Sequence, residues 1–316
     1  MPKLKFFLAT LLALSGSAMA AGYDAPQLIF SSPDRTVNLS GGIGYSWIRA
    51  DEKVYFEGYR LSHLIWTSQT PVFTAAMSIN PLADLTIDAK TRIGFLATSR
   101  MEDYDWFGPF FKSFAFDDWT HRSMHEVVDL ERFVTADIAL GYNLNLNNSD
   151  TINLNGGFKY LNVKFNGSEG TSTYSISGFR ADVSTFASGL RGISYEVRLP
   201  AFFAGTKWTH EFSGFSISAA GRLGTTFGAR DIDMHWLRDR LSTSQLNNAP
   251  FVELNADLNY HLAKNLQFVS SVAFERYFEM TGDDFITFPT ETLMNFGGRG
   301  VRFGSLSLSF GIKSSF

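Results

Sequence analysis

Leu306, Leu308, Phe310 and Ile312 alternate with Ser307, Ser309, Gly311 and Lys313, and the run closes on Phe316. A period of two belongs to a strand with one apolar face and one wet face. The same alternation recurs along the chain. Val37, Leu39, Ile43, Tyr45 and Trp47 share one parity, opposite Asn38, Ser40, Gly42 and Ser46. Leu85, Ile87, Ala89, Ile93 and Phe95 oppose Thr86, Asp88, Lys90 and Arg92, and Ala136, Ile138, Leu140, Tyr142 and Leu144 oppose Asp137, Gly141 and Asn143. Val252, Leu254, Ala256, Leu258 and Tyr260 oppose Glu253, Asn255, Asp257 and Asn259, so every position between them is polar. A soluble sandwich also buries one face, but it does not carry such uniform lipid-like faces around the whole chain. The pattern predicts an all-β chain: a transmembrane, antiparallel, up-and-down β-barrel. A final strand ending in an aromatic residue is how bacterial outer-membrane barrels usually end.

The N-terminus agrees with export. Lys3 and Lys5 precede an apolar run from Phe6 to Leu14, then Ser15-Gly-Ser-Ala18-Met19-Ala20. This is the pattern of a secretory signal peptide over residues 1–20, and its apolar run is too short to span a bilayer as a helix. The mature chain is then expected over 21–316 as a single barrel. Of the 27 Lys and Arg, two lie in that leader, leaving 25 against 31 Asp and Glu, an acidic balance that argues against nucleic acid as a partner. There is no cysteine, so disulfides and thiolate-held metals are excluded.

Short polar turns are predicted at 80–84, 147–150, 210–214 and 261–265. Longer connections are expected near 52–58, 104–128, 169–188, 234–250 and 280–295. Short turns at one end and long loops at the other are the barrel arrangement, periplasmic and extracellular respectively. The runs count to ten strands, several exceeding the ~10 residues needed to cross a membrane, so the barrel should protrude on the extracellular side. Pro200 lies in a strand-like stretch and implies a bulge or an irregular rung.

Three clusters fall at outer strand ends: Glu102-Asp103-Tyr104-Asp105-Trp106, Asp231-Ile232-Asp233-Met234-His235, and Trp119-Thr120-His121-Arg122-Ser123-Met124-His125. Residues two apart on a strand point the same way, so Asp103 with Asp105, and Asp233 with His235, each converge on one volume. A carboxylate beside an imidazole orients it and stabilises its protonated form, which suits a general base toward water. Two close carboxylates do not both ionise easily, so one can hold a proton at neutral pH. Taken singly, each pair is also an ordinary acidic turn, Asp-x-His could supply metal ligands, and Ser123 with His125 could suggest a serine nucleophile. Parity raises a further question. Asp231, Asp233 and His235 share parity with the lipid-facing Phe215, Ile217 and Leu223, and Asp103 and Asp105 with Ile93 and Phe95. A bulge or break, at Gly228 and Gly94, must turn both strand ends inward.

In this order and spacing the chain resembles the omptins, the ten-stranded outer-membrane proteases of Gram-negative bacteria, over essentially the whole mature length. Asp103-Tyr-Asp105 matches the family's aspartate pair and Asp233-Met-His235 its Asp-x-His dyad. Trp119-Thr-x-x-Ser123-x-His125 matches a third signature, with His121 where an aspartate is usual. Gly178-Phe-Arg-Ala-Asp182 and Leu199-Pro-Ala-Phe202 align with further segments. The resemblance implies an outer-membrane endopeptidase with its active site facing the exterior. His235 would act as base, Asp233 would orient it, and Asp103 and Asp105 would hold the water and stabilise the oxyanion, with no cofactor and no metal.

Omptins typically cleave near basic residues through acids at the rim. Glu52 and Asp231 match two of these, and Ile65 stands where an aspartate that borders the pocket is usual. Arg198 matches one residue of the family's lipopolysaccharide-binding surface, while Phe158, Tyr160 and Asn162 replace three others. Lipopolysaccharide is an expected partner, one that activity could require, beside a polypeptide substrate and outer-membrane lipid, for a monomeric barrel; the three replacements count against that dependence. The aromatic segment 106–116 would form an upper girdle at the headgroups or a greasy lip to the cleft. A non-catalytic adhesin or invasin on the same barrel, a small porin and a lipid-modifying hydrolase are the competing function classes.

Overall fold

A computed structural model of the protein describes residues 36–316. The signal peptide expected over 1–20, and the start of the mature chain, lie outside the described residues. Thirteen strands follow in chain order: β1 (Val37–Phe56), β2 (Tyr59–Leu82), β3 (Leu85–Gly94), β4 (Thr98–Asp105), β5 (His121–Asn145), β6 (Asp150–Tyr174), β7 (Asp182–Glu211), β8 (Phe215–Thr226), β9 (Ala229–His235), β10 (Arg240–Leu246), β11 (Pro250–Ala263), β12 (Leu266–Thr287) and β13 (Thr292–Ser315). Each pairs antiparallel with its neighbours, and β1 pairs with β13 from Asn38 opposite Ser315 to Val54 opposite Arg299, which closes the ring.

Thirteen strands make ten staves. β3 and β4 both lie between β2 and β5, so they are one stave with a break. β8 with β9, and β10 with β11, are interrupted in the same way. The breaks are what bring the chemistry inside. In β3 the even residues Thr86 and Arg92 are buried and Ile93 is exposed; in β4 the odd residues Ser99 and Met101 are buried. The inward face therefore shifts by one residue across 95–97. In β8 the buried positions are Ser216 and Ser218; in β9 they are Ala229, Asp231 and Asp233. Gly228, at φ +57°, carries that second shift, as the parity argument anticipates. The first is carried by Leu96, at φ +52°, two residues beyond Gly94. Pro200 lies opposite the β8–β9 break: β7 pairs Arg198 with Arg230 and Ala201 with Thr226, and the rung between them is irregular.

Exposed apolar side chains form a belt toward the short-turn end, including Ile43, Leu140, Leu154, Leu223, Leu254 and Phe310. The staves run far beyond it. β7 has 30 residues, roughly three times the ~10 that cross a bilayer, so the wall protrudes at the other end. Much of what the sequence suggests as long loops is strand in this protruding wall. The connections shrink to 57–58, 106–120, 175–181, 236–239 and 288–291. Both faces of the wall leave the lipid there, so apolar alternation fades while the backbone ladder continues.

Inside, the lumen is filled in layers. A polar cavity of about 330 Å3 near the short-turn end gives way to an ionic layer. There Lys159 pairs with Glu253 and, at 3.0 Å, with Glu275, while Arg222 meets Asp137 at 3.0 Å. Above lie fully buried rings: Trp66 stacked between Phe165 and Tyr195 at 5.3 and 5.7 Å, and Phe251 on Tyr277 at 4.8 Å. This plug forms the floor of the site. It also leaves little support for an open pore.

Candidate active site

β9 supplies the dyad. His235 Nε2 lies 2.9 Å from Asp233 Oδ2. Burial pushes the Asp233 carboxyl up, but the His235 charge and hydrogen bond, helped by Arg299 and Arg240, outweigh it and hold the group below its usual range. An ionised carboxylate only accepts, so Nε2 donates to it, and Nδ1 is the ring nitrogen not engaged by Asp233.

β4 supplies the facing pair. Asp103 lines a cleft of about 50 Å3 together with His235, Met101, Ser123, His125 and Arg238. A water needs only ~10–15 Å3 of such space, so the cleft has room for one between base and acid. Ser62 of β2 donates to Asp103 Oδ1 at 3.0 Å. Burial raises Asp103 against the opposing pull of the His235 charge. Burial, and then the neighbouring Asp103 charge, raise Asp105 well above the ordinary carboxylate range. Both shifts favour the protonated form of the pair.

The Trp119–His125 signature is split between a connection and β5. Asp103 pairs with Ser123 and Asp105 with His121 across the ladder. The Ser123 hydroxyl meets Tyr174 OH at 3.0 Å, and His125 Nδ1 meets the Ser168 carbonyl at 3.2 Å with Phe186 stacked on its ring. Neither bond joins Ser123 to an imidazole, so the two do not form a nucleophile–base pair. Among the described residues, no group of three or more His, Asp and Glu side chains is arranged to hold a metal ion.

The three residues expected to bind substrate are placed differently. Ile65 is buried on the outer wall, not in the cleft. Along β2 the inward residues are Leu64, Trp66 and Ser68, so Ile65 faces out and packs with Tyr104 and Trp106, with Phe114 and Trp119 against them. Segment 106–119 folds over this patch: Trp106 Nε1 donates to the Ala115 carbonyl at 2.8 Å, and Arg60 lies over the Trp106 ring at 3.9 Å. Trp106, Phe114 and Trp119 therefore serve a local core, with the partly exposed Phe116 against Tyr104 and Trp106, while Phe107 and Phe111 stay exposed.

Glu52 and Asp231 do face inward, but beneath the cleft rather than at its rim. Both are fully buried around the Arg299 guanidinium, which Asp284 also binds. Neither is free to hold a substrate cation. Arg299, Asp284 and Ser62 are site neighbours that the sequence reading misses. Arg299 sits between Gly298 and Gly300, past the connection predicted near 280–295, and its partner Glu52 is 247 positions away. Arg198 is on the outer wall with a half-exposed side chain. Its Nε donates to Glu196 Oε1 at 2.8 Å, and Arg132 and Asn162 converge on the same oxygen at 3.1 and 3.0 Å.

The omptin family profile matches residues 33–316. Two curated relatives, both called Protease 7, are 22% identical: one from Escherichia coli O157:H7 over 78% of this chain and 78% of its own, the other from Escherichia coli K12 over 83% and 84%. The crystal structure of the outer membrane protease OmpT from Escherichia coli superposes with a TM-score of 0.82 at 19% identity, covering 89% of this chain and 96% of that one. The match runs through the site strands and almost to both ends of the described barrel, so the chain belongs to the omptin family of outer-membrane β-barrels.

Proposed function

We propose that this protein is an outer-membrane endopeptidase in which the Asp233–His235 dyad activates a water against the Asp103–Asp105 pair. The observation that carries the reading is the 2.9 Å dyad contact at a cleft shared with Asp103. The names of the relatives, both proteases, point the same way. His235 Nδ1 takes a proton from the water, whose oxygen bonds to the scissile carbonyl carbon. The anionic Asp233 stabilises the imidazolium so formed. The carbonyl oxygen gains the negative charge and accepts a hydrogen bond from the protonated carboxyl of the aspartate pair, a donor in a site shielded from bulk water. The carbon–nitrogen bond then breaks as the imidazolium returns its proton to the leaving amine. No side chain becomes acylated.

The wide, protruding end of the barrel faces the cell exterior in this reading, so that polypeptide substrates reach the cleft from outside. Lipopolysaccharide is a proposed partner on the outer wall, where Arg198 and Arg132 are held side by side by Glu196 at the upper margin of the apolar belt. Such a pair suits phosphate groups. The barrel is taken as a monomer that needs no metal and no organic cofactor. The acids expected to favour basic residues, Glu52 and Asp231, are occupied by Arg299. The test is a peptide-library cleavage screen with refolded protein, with and without lipopolysaccharide. Turnover lost in His235→Ala supports the reading. Retained surface binding by a barrel that cleaves nothing would favour the adhesin instead.

A further inference from the structure

Beneath Asp233, carboxylates from three separate strands converge on one guanidinium. Asp284 of β12 accepts from Arg299 Nη2 at 3.1 and 3.2 Å, Asp231 of β9 lies 3.3 Å from Nε, and Glu52 of β1 pairs with Nη1. Ser244 of β10, opposite Asp231 in the ladder, adds a contact at 3.4 Å. Arg299, Glu52 and Asp284 have no exposed side-chain surface. Several acids placed around a planar, five-donor fork make a guanidinium receptor. Here the guest is supplied by β13 of the same chain.

The mouth of the cleft repeats the sign. Arg238 lines it beside Asp103 and His235. Arg240 stands opposite His235 in the ladder. Both guanidiniums act through space on Asp105. A basic substrate side chain would therefore enter between cations above and a filled acidic chamber below, which selects against it.

We propose that Arg299 occupies, from within the protein, the chamber that would otherwise receive a basic substrate side chain, so that the cleft cleaves beside uncharged residues and disfavours Arg and Lys. This rests on the proposed hydrolytic function and names its substrate class. Arg299 is thus a specificity-determining residue rather than a catalytic one.

The test uses the full refolded barrel and two readouts. In the peptide library, wild-type cleavage should show no enrichment of Arg or Lys beside the cut bond. Arg299→Gly, which vacates the chamber, should raise selection for Arg by about tenfold or more, the scale of a regained charge-assisted contact. The second readout needs no turnover. Arginine amide should raise the unfolding temperature of Arg299→Gly and leave that of the wild type unmoved. If Arg299→Gly does not refold, Glu52→Gln combined with Arg299→Gly, which removes one uncompensated acid, should show the same shift. Wild-type enrichment of Arg or Lys by tenfold or more would overturn the proposal. So would equal responses of wild type and variant to arginine amide, or no response of a folded variant. A wild type that cleaves nothing would defeat the hydrolytic reading alone, since the arginine amide shift still decides whether the chamber is filled.

Discussion

His235 and Asp233 meet at 2.9 Å because both stand on the seven-residue strand β9, two positions apart on its inward face. They face inward only because the chain loses one residue of register at Phe227–Gly228. Without that shift, the parity of β8 would carry Asp233 and His235 onto the outer wall. The dyad therefore depends on a backbone feature several residues below it.

Gly228 sits at φ +57° with open space where a Cβ would go, so conformation rather than crowding sets its requirement. Gly228→Val should destabilise the folded barrel by about 1–2 kcal/mol and reduce activity, since a left-handed backbone penalises a branched side chain. Leu96, exposed and at φ +52°, is the converse case: Leu96→Gly should be neutral or stabilising by up to about 1 kcal/mol. Thermal unfolding in detergent, read as loss of heat-modifiable mobility, compares the two. Equal effects of both substitutions would contradict the account of the breaks.

Much of the site is legible from residue spacing, and the limits are physical. Asp103, Asp105, Asp233 and His235 can be read because a two-residue period forces each pair onto one face. Even the need for a break is readable, and Gly228 supplies it; Leu96 escapes because leucine carries no signal for positive φ. Ile65 is misplaced by the resemblance, which sets it at the pocket; β2 is unbroken, and Ile65 shares the outward parity of the exposed Phe73 and Met77. Arg299 is not legible in the sequence, because its partners come from three distant strands and only barrel closure brings them together. The outer halves of the staves read as loops because their inward faces bury polar groups such as Glu52, Ser244 and Asp284 while their outward faces leave the lipid, which removes the apolar alternation that marks a strand.

Ile65→Asp now has a different expected outcome from that of a pocket residue. It should leave cleavage specificity unchanged and loosen segment 106–119, because an unpaired carboxylate beneath Trp106 and Phe114 costs at least about 1–3 kcal/mol of local stability. Limited proteolysis should cut the variant between 106 and 119 faster than the wild type. A gain in arginine selectivity with the segment intact would return Ile65 to the pocket.

The pH dependence follows from the aspartate pair. Burial and the Asp103 charge raise Asp105, so its proton persists above the usual carboxylate range and is lost as pH rises through the raised value. Activity should therefore fall on the alkaline side, where the oxyanion donor becomes an acceptor. Asp105→Asn, neutral at every pH, should flatten that limb while retaining most of the neutral-pH rate. An unchanged alkaline limb in Asp105→Asn would assign the loss to another group.

Ser62 donates to Asp103 at 3.0 Å and also acts on the neighbouring Asp105, so it positions the aspartate pair. Ser62→Ala removes one contact of about 0.5–1.5 kcal/mol and should lower kcat severalfold, with KM little changed. Steady-state kinetics on one good peptide distinguishes this from a binding defect, which would move KM instead.

The central claim is that an imidazole held by Asp233 activates water, and single-site loss of that base tests it most directly. Purified His235→Ala, refolded to the same heat-modifiable barrel as the wild type, should cleave a library-selected peptide more slowly by ~10²–10⁴-fold, the usual contribution of a general base. Turnover of the folded His235→Ala barrel within a few-fold of the wild type would contradict it.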